Sequence, residues 1–306
     1  MNTRQLEYVI VLAEERSFTK AANRLIIAQS SLSQYINNLE QSLGHRLFDR
    51  SVTPLRLTVA GELYIETARE ILDLDKQINA RLRDMDDIPY GRLLLGASPH
   101  HCLYTLPRAV KRFLDKYPLY DVLINEKTHV ERIRLLEKGE LDFCLSMLPN
   151  KNKRLECEEV LVESLLIVVS KEHEASEHLR KSAKPGNPYP IVDLRELSDI
   201  PFLAVSEKHN LAQVVTEMFN QAEVQPRTIL RCESAQVCHA MASAGIGVAI
   251  LHSGCDQYSE GHRTLDYYSI LQEYPTRHLG IFYRKDQYIS RAASDFIAIM
   301  KSLNAK

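Results

Sequence analysis

The chain has 306 residues, and its 38 Lys and Arg against 40 Asp and Glu leave a net charge of −2. That balance excludes a wholly basic nucleic-acid coat and an acidic tail, and no apolar run reaches the roughly 20 residues of a membrane helix. Six scattered cysteines (Cys102, Cys144, Cys157, Cys232, Cys238, Cys255) form no Cys-x-x-Cys pair, and no charged-then-apolar leader opens the chain. The expectation is a cytoplasmic protein with reduced thiols and no membrane partner.

Two helical patterns come first. Apolar residues fall at Phe18, Ala21, Ala22 and Leu25, and again at Leu32, Ile36, Leu39 and Leu43, so each segment buries one face. The other face of the second helix carries Gln29, Ser30, Ser33, Gln34 and Asn37. These short neutral side chains both donate and accept, which suits base edges in a major groove. Over residues 1–58 seven basic side chains (Arg4, Arg16, Lys20, Arg24, Arg46, Arg50, Arg56) meet five acidic ones (Glu7, Glu14, Glu15, Glu40, Asp49). Phosphate neutralisation by one copy is therefore modest, and several copies on one DNA are expected.

From Val59 to Asp86 there is no proline and one glycine, Gly61. Tyr64, Ala68, Ile71, Asp75, Ile78, Leu82 and Met85 recur at alternating spacings of four and three, the pattern of a coiled-coil dimer seam with one polar entry at Asp75. Asp86-Asp87-Ile88-Pro89-Tyr90-Gly91 then reads as a hinge.

Beyond it, apolar runs at 93–95, 122–124, 143–145, 165–169, 202–205, 248–251 and 279–283 alternate with helical stretches near 104–117, 129–138, 210–222, 234–244 and 290–303. Such alternation predicts parallel sheets wrapped by helices. The length suggests two α/β lobes with a crevice between them. His173 to His178 misses the His-Glu-x-x-His spacing by one residue and reads as the start of a solvated surface loop reaching about Pro190.

The segment from Ser17 to Gly61 resembles the winged helix-turn-helix of the LysR-type transcriptional regulators. Four pieces carry the likeness in register: Phe18-Thr19-Lys20-Ala21-Ala22, Ala28-Gln29-Ser30-Ser31-Leu32-Ser33, Leu47-Phe48-Asp49-Arg50 and Leu57-Thr58-Val59-Ala60-Gly61. The resemblance implies a winged helix-turn-helix domain at 1–58 of all-α type, a linker dimerisation helix at 59–87, and a periplasmic-binding-protein-like α/β effector domain at 88–306. It further implies lobe I at about 92–161 plus 268–306, lobe II at about 162–267, and a homo-oligomer that is dimeric through the linker helix and tetrameric through the effector domains. Promoter DNA, RNA polymerase and an unknown small-molecule effector are the implied partners.

Three departures stand out. Ala28 replaces the usual serine cap, so Ser30 is a candidate cap two residues later. Gln34 stands where many members carry Arg, and the wing tip Ser51-Val52-Thr53-Pro54 leaves Arg50 and Arg56 as its charges for phosphate or the minor groove.

Ligands of open α/β folds sit at strand ends. The candidates are Gly96-Ala97-Ser98-Pro99, Glu126-Lys127-Thr128 and Ser206-Glu207-Lys208-His209-Asn210, with Ser98, Pro99, Thr128 and Ser206 carried over by position as effector contacts; each hydroxyl could equally cap its helix. Ser146-Met147 stands where some members hold a carboxylate with a basic residue. His100, His101, His129 and His209 lie in or beside these loops in no recognised zinc spacing, so no metal or cofactor is expected. Metal-responsive and redox-responsive regulators of the same architecture are the alternatives, although Asn210 occupies the position of the peroxide-sensing thiol. An enzyme is disfavoured: Gly245-Ile246-Gly247 continues to Ile250 where a third glycine is needed, and no nucleophile elbow or P-loop occurs. No catalytic residue is assigned.

Overall fold

The computed structural model describes residues 3–86, 90–186, 188–207, 210–258 and 264–303. Asp87-Ile88-Pro89 of the expected hinge and Lys208-His209 of the third candidate loop lie outside them. The chain forms two compact units, one holding residues 1–91 with 137–140 and 286–291, the other holding the rest.

In the first unit, α1 (Thr3–Glu15), α2 (Phe18–Leu25) and α3 (Gln29–Leu43) pack around Val9, Leu12, Ala21, Ala22, Leu32 and Ile36. The helical spacing of those residues places them on one side of each helix. Leu43, assigned to the buried face, is exposed because α3 ends there in a left-handed Gly44 cap. The turn between α2 and α3 passes through Ile26, a β-branched residue at φ 56° that is 91% exposed. Strands β1 (Phe48–Asp49) and β2 (Arg56–Leu57) pair antiparallel as the wing.

The linker helix α4 (Val59–Arg83) is capped by Thr58, whose Oγ1 accepts from Gly61 N at 3.0 Å and donates to Arg46 O at 2.6 Å. Gly61 packs so closely that a Cβ there would stand 2.1 Å from Leu47 O, so only glycine fits. This contact corrects the expected dimer seam. Ala68 is 1% exposed, and Tyr64 packs with Ile65 in the core of its own winged helix. The apolar side chains of α4 that face solvent are Val59, Leu63, Leu74, Ile78, Leu82 and Met85. Ile71 is half-buried. Tyr64 and Ala68 of the predicted seam are thus taken up by the domain itself, while its Ile78, Leu82 and Met85 face solvent.

The second unit contains two sheets. The five-stranded sheet runs β4 (Tyr120–Glu126), β3 (Gly91–Ala97), β5 (Phe143–Met147), β13 (Arg277–Arg284), β6 (Leu155–Glu163). The six-stranded sheet runs β10 (Thr228–Cys232), β9 (Phe202–Val205), β11 (Val248–His252), β7 (Leu165–Ser170), β12 (Leu265–Ile270), β8 (Ile191–Val192).

Both sheets are mixed rather than parallel. β13 is antiparallel to β5 and β6, and β7 is antiparallel to β11 and β12. The reason is the crossing itself: the strands that leave and re-enter a sheet at its crossover run against their neighbours. The outward crossing lies at Ser164, tied by Ser253 N to Ser164 O at 2.8 Å. The return lies between Ile270 and Arg277, beyond the expected position 268, since β12 stays wholly in the second sheet.

Helices α5 (Pro99–Tyr104), α6 (Leu106–Lys116), α7 (His129–Glu137), α9 (Asn210–Gln221), α10 (Ala235–Ser243), the short α11 (Cys255–Tyr258) and α12 (Arg291–Ser302) accompany the sheets. The stretch read as a loop after His173 is instead helix α8 (Glu174–Ser182), with His173 Nδ1 accepting from Ala175 N at 3.0 Å. Its acidic first turn and basic last turn suit the helix dipole. Among the described residues no helix is long and apolar enough to cross a membrane.

Candidate functional site

On α3, Gln29, Ser30, Gln34 and Asn37 are exposed and Ser33 is half-buried. Ala28 is the N-cap without a side-chain bond, so Ser30 does not cap the helix. Its hydroxyl lies on the exposed face, one turn from Ser33 and Gln34. The first turn of α3 therefore offers bare backbone N–H groups and neutral polar side chains.

The two wing arginines differ. Arg56 is exposed on β2. Arg50, assigned to DNA, instead donates from Nη2 to Glu40 Oε2 at 2.9 Å and lies over the Phe18 ring at 5.3 Å. Glu40 is buried, and its Oε1 accepts from Leu47 N at 2.8 Å and Phe48 N at 3.1 Å. Three donors thus satisfy one carboxylate, and Arg50 locks the wing to α3. Arg24 is likewise held by Glu14 and Glu15, both at 3.0 Å. Arg24 and Arg50 of the reading head are therefore engaged internally.

In the second unit a crevice of about 750 Å³ is lined by Ser98, Pro99, His100, His101, Lys127, Thr128, Arg132, Ser146, Glu163, His252 and Arg277, among others. Ser98, Pro99 and Thr128 line it, and both hydroxyls also cap helices. Ser98 Oγ accepts from His101 N and meets His101 Nδ1 at 2.8 Å. Thr128 and Glu131 form a reciprocal box at the start of α7. Ser206, by contrast, is not among the lining residues; its N–H donates to Cys232 O beyond the end of β9. Ser146 meets His129 Nδ1 at 2.7 Å.

Sequence spacing hid the floor of this crevice. The end of β3 brings His100 and His101, the end of β6 brings Glu163, β11 ends on His252 and β13 begins on Arg277. His101 Nε2 lies 2.8 Å from Glu163 Oε1, and His100 Nε2 lies 3.8 Å from the same oxygen. Arg277 Nη1 meets His252 Nε2 at 2.5 Å. Burial pushes the Glu163 carboxyl up, but the hydrogen bond and charge of His101, with His252 and His100, hold it down at about 2. Burial, with the neighbouring His101, lowers His100 to about 4, and burial lowers His252 well below its usual value. Near neutrality the floor therefore holds an ionised Glu163 carboxylate near the neutral imidazoles of His100 and His252. His100, His101 and Glu163 each turn a possible ligand atom into a space where all three lie within 4.8 Å of one another.

Arg132 is a second unexpected feature. It is 6% exposed, its Nη1 donates to Lys127 O, and its Nε has no hydrogen-bond partner. No ion pair to it is found among the described residues. The thiols offer little nucleophilicity: burial pushes Cys102 to about 11 and Cys144 and Cys255 to about 12.

Comparison with known proteins places this arrangement. Residues 3–62 match the bacterial regulatory helix-turn-helix protein, lysR family, and residues 87–305 match the LysR substrate binding domain. The chain is 28% identical over 311 residues to the HTH-type transcriptional regulator YcgK of Bacillus subtilis, covering 98% of this chain and 94% of that one. It is 29% identical over 253 residues to the regulator ClcR of Pseudomonas putida, covering 82% of each. Among solved structures it resembles a full-length OxyR variant from Pseudomonas aeruginosa with TM-score 0.68 at 22% identity, covering 98% of both chains. Full-length CbnR in complex with its target DNA gives TM-score 0.60 at 22% identity, covering 99% of both. With both halves matched in order, the chain belongs to the LysR family of transcriptional regulators, with an N-terminal DNA-binding domain and a two-lobed effector-binding domain.

Proposed function

We propose that this regulator reads promoter DNA with the first turns of α3 and responds to an anionic small molecule in its crevice. The observation that carries the reading is the exposed, uncharged donor-and-acceptor face of Gln29, Ser30, Ser33, Gln34 and Asn37. Gln and Asn pair in bidentate fashion with adenine, and serine contacts either purine or phosphate. Arg56 holds phosphate or the minor groove beside it, and Arg50 keeps the wing in place for Arg56 to do so.

Two copies pair through the exposed stripe Leu63, Leu74, Ile78, Leu82 and Met85 of α4, and the effector domains join dimers into a tetramer. Pairing raises the effective concentration of the second reading head and offsets the modest charge of each. In the crevice, Arg132 supports an anionic effector because a buried guanidinium without a carboxylate leaves a charge to be met. Ser98, Pro99 and Thr128 flank the same space. An effector that prefers one pose of the lobes shifts the population of quaternary states by its differential affinity. That shift changes the presentation of the paired heads to DNA and RNA polymerase in the cytoplasm.

Electrophoretic shift on operator and random DNA tests the reading. Gln34→Ala is expected to relax base preference by about 1–3 kcal/mol, while Arg56→Ala weakens both DNAs alike and lowers the salt slope by about one. Equal losses on both DNAs for Gln34→Ala would remove the base-reading assignment. A thermal-shift panel of anionic metabolites tests the crevice: stabilisation that survives in wild type but is lost in Arg132→Gln supports it.

A further inference from the structure

The crevice floor holds more than an organic effector needs. Three potential ligand atoms converge there from two distant parts of the chain, and two of the side chains have an unused atom. His100 Nε2 and Glu163 Oε2 are buried with no hydrogen-bond partner, and the Glu163 side chain is 1% exposed. Arg277 Nε stands 3.9 Å from that oxygen, too far for a hydrogen bond. Leaving such atoms unmet inside a protein is costly, so their presence asks for an occupant.

We propose that His100, His101 and Glu163 bind one divalent transition-metal ion, with zinc the best match, at the floor of the crevice. Two imidazoles and a carboxylate are a ligand set for zinc and similar ions rather than for calcium or magnesium. Bonds of roughly 2.0–2.1 Å in a tetrahedron separate ligand atoms by about 3.4 Å. The observed separations of 2.8 and 3.8 Å from Glu163 Oε1 bracket that value, so small side-chain rotations suffice.

The protonation states suit the ion too. Glu163 is ionised and His100 is neutral at neutral pH, so both present lone pairs. His101 would bind through Nε2, releasing any proton held there as the ion coordinates. Its Nδ1, beside Ser98 Oγ, then carries the N–H that donates to that hydroxyl. Arg277 stays behind Glu163 and offsets the carboxylate charge. Three protein ligands leave a fourth position open toward the crevice.

The ion would sit where the chain crosses between the sheets. Glu163 precedes the crossing residue Ser164, while the two histidines belong to α5, after β3. Occupancy would therefore fasten the crossing to the first sheet's opening loop.

The test uses the full-length protein, tag removed and stripped with a chelator, titrated with Co²⁺ by absorption and with Zn²⁺ against a chromophoric chelator. One ion per chain is expected, with the intense visible absorption of tetrahedral cobalt. His100→Gln and Glu163→Gln should weaken binding more than about 100-fold, beyond the 10–100-fold that outer-shell changes cost. The surface control His45→Gln should bind as wild type. No binding by wild type, a thiolate-to-cobalt charge-transfer band, or unchanged affinity in His100→Gln would each overturn the site. Should Glu163→Gln fail to fold, His100→Gln decides, since Nε2 makes no hydrogen bond and folding despite loss of the Ser253 contact is checked by circular dichroism. Operator binding measured on the same samples separates the two readings: a wild-type protein that shifts operator DNA but binds no metal rejects the metal site and leaves the regulator standing.

Discussion

Two buried glutamates divide the labour of this molecule. At the root of the wing, Glu40 is met by Leu47 N, Phe48 N and Arg50, so both oxygens are used. At the floor of the crevice, Glu163 receives His101 on one oxygen and has no hydrogen bond on the other. Both sit in low dielectric, where an ionised group needs partners. A carboxylate saturated by its own chain is a fastener. One left partly unsatisfied, beside imidazoles and facing a cavity, is a place for something else to bind.

The strongest way to break this contrast is Glu40→Ala. It leaves the buried N–H groups of Leu47 and Phe48 without their acceptor, while Arg50 turns to solvent, and a cost of about 2–4 kcal/mol is expected. Hydrogen exchange over residues 1–68 measures it; a loss under about 1 kcal/mol would make Glu40 a surface charge in energetic terms.

Acid distinguishes the second site. The folded chain keeps His100 neutral down to about 4, whereas the unfolded chain protonates it near 6.5. Between those values the unfolded state binds more protons, so stability falls as the pH drops from 6.5 to 4 and is unaffected by this group above 6.5. The contribution is about 3 kcal/mol, and His252 adds in the same direction. Denaturant titrations of the metal-free protein at stepped pH should show that limb in the effector unit, and His100→Gln should flatten it. An unchanged slope would mean that His100 titrates normally.

Arg50→Met refines the wing. Loss of about 2 kcal/mol of stability is expected, since the alkyl stem still covers Phe18 while Glu40 loses a charged hydrogen bond. An unchanged salt slope for DNA binding accompanies it; a slope reduced by about one would return Arg50 to the phosphate contacts.

The smallest effect is a gain. Ile26 holds a left-handed conformation that L residues with a branched Cβ resist. Ile26→Asn should stabilise the reading head by about 1 kcal/mol. A loss would show that its exposed side chain already has a partner.

The reading head was legible because its signals are local. Helical spacing at Ala21, Ala22, Leu32 and Ile36 and four motif pieces in register need nothing from elsewhere in the chain. Strand β6 escaped notice because Glu156, Glu158 and Glu159 interrupt its apolar pattern; it is an edge strand, paired only with β13, and edges tolerate charge. Helix α8 was hidden by a composition that reads as solvated loop. Tyr64 and Ala68 fit a dimer seam by spacing alone, and only the tertiary structure packs Tyr64 on its own core and buries Ala68. The crevice floor was least visible, since positions 100, 101, 163, 252 and 277 share no sequence window.

The press of Gly61 on Leu47 O, with Ile65 and Ala68 behind it, has a mechanical meaning. A cut at residue 58 would remove part of the core of the domain it was meant to isolate. The reading head and the first turns of α4 form one rigid lever with no slack at their joint. A reorientation of the first turns of α4 would therefore carry the recognition surface with it.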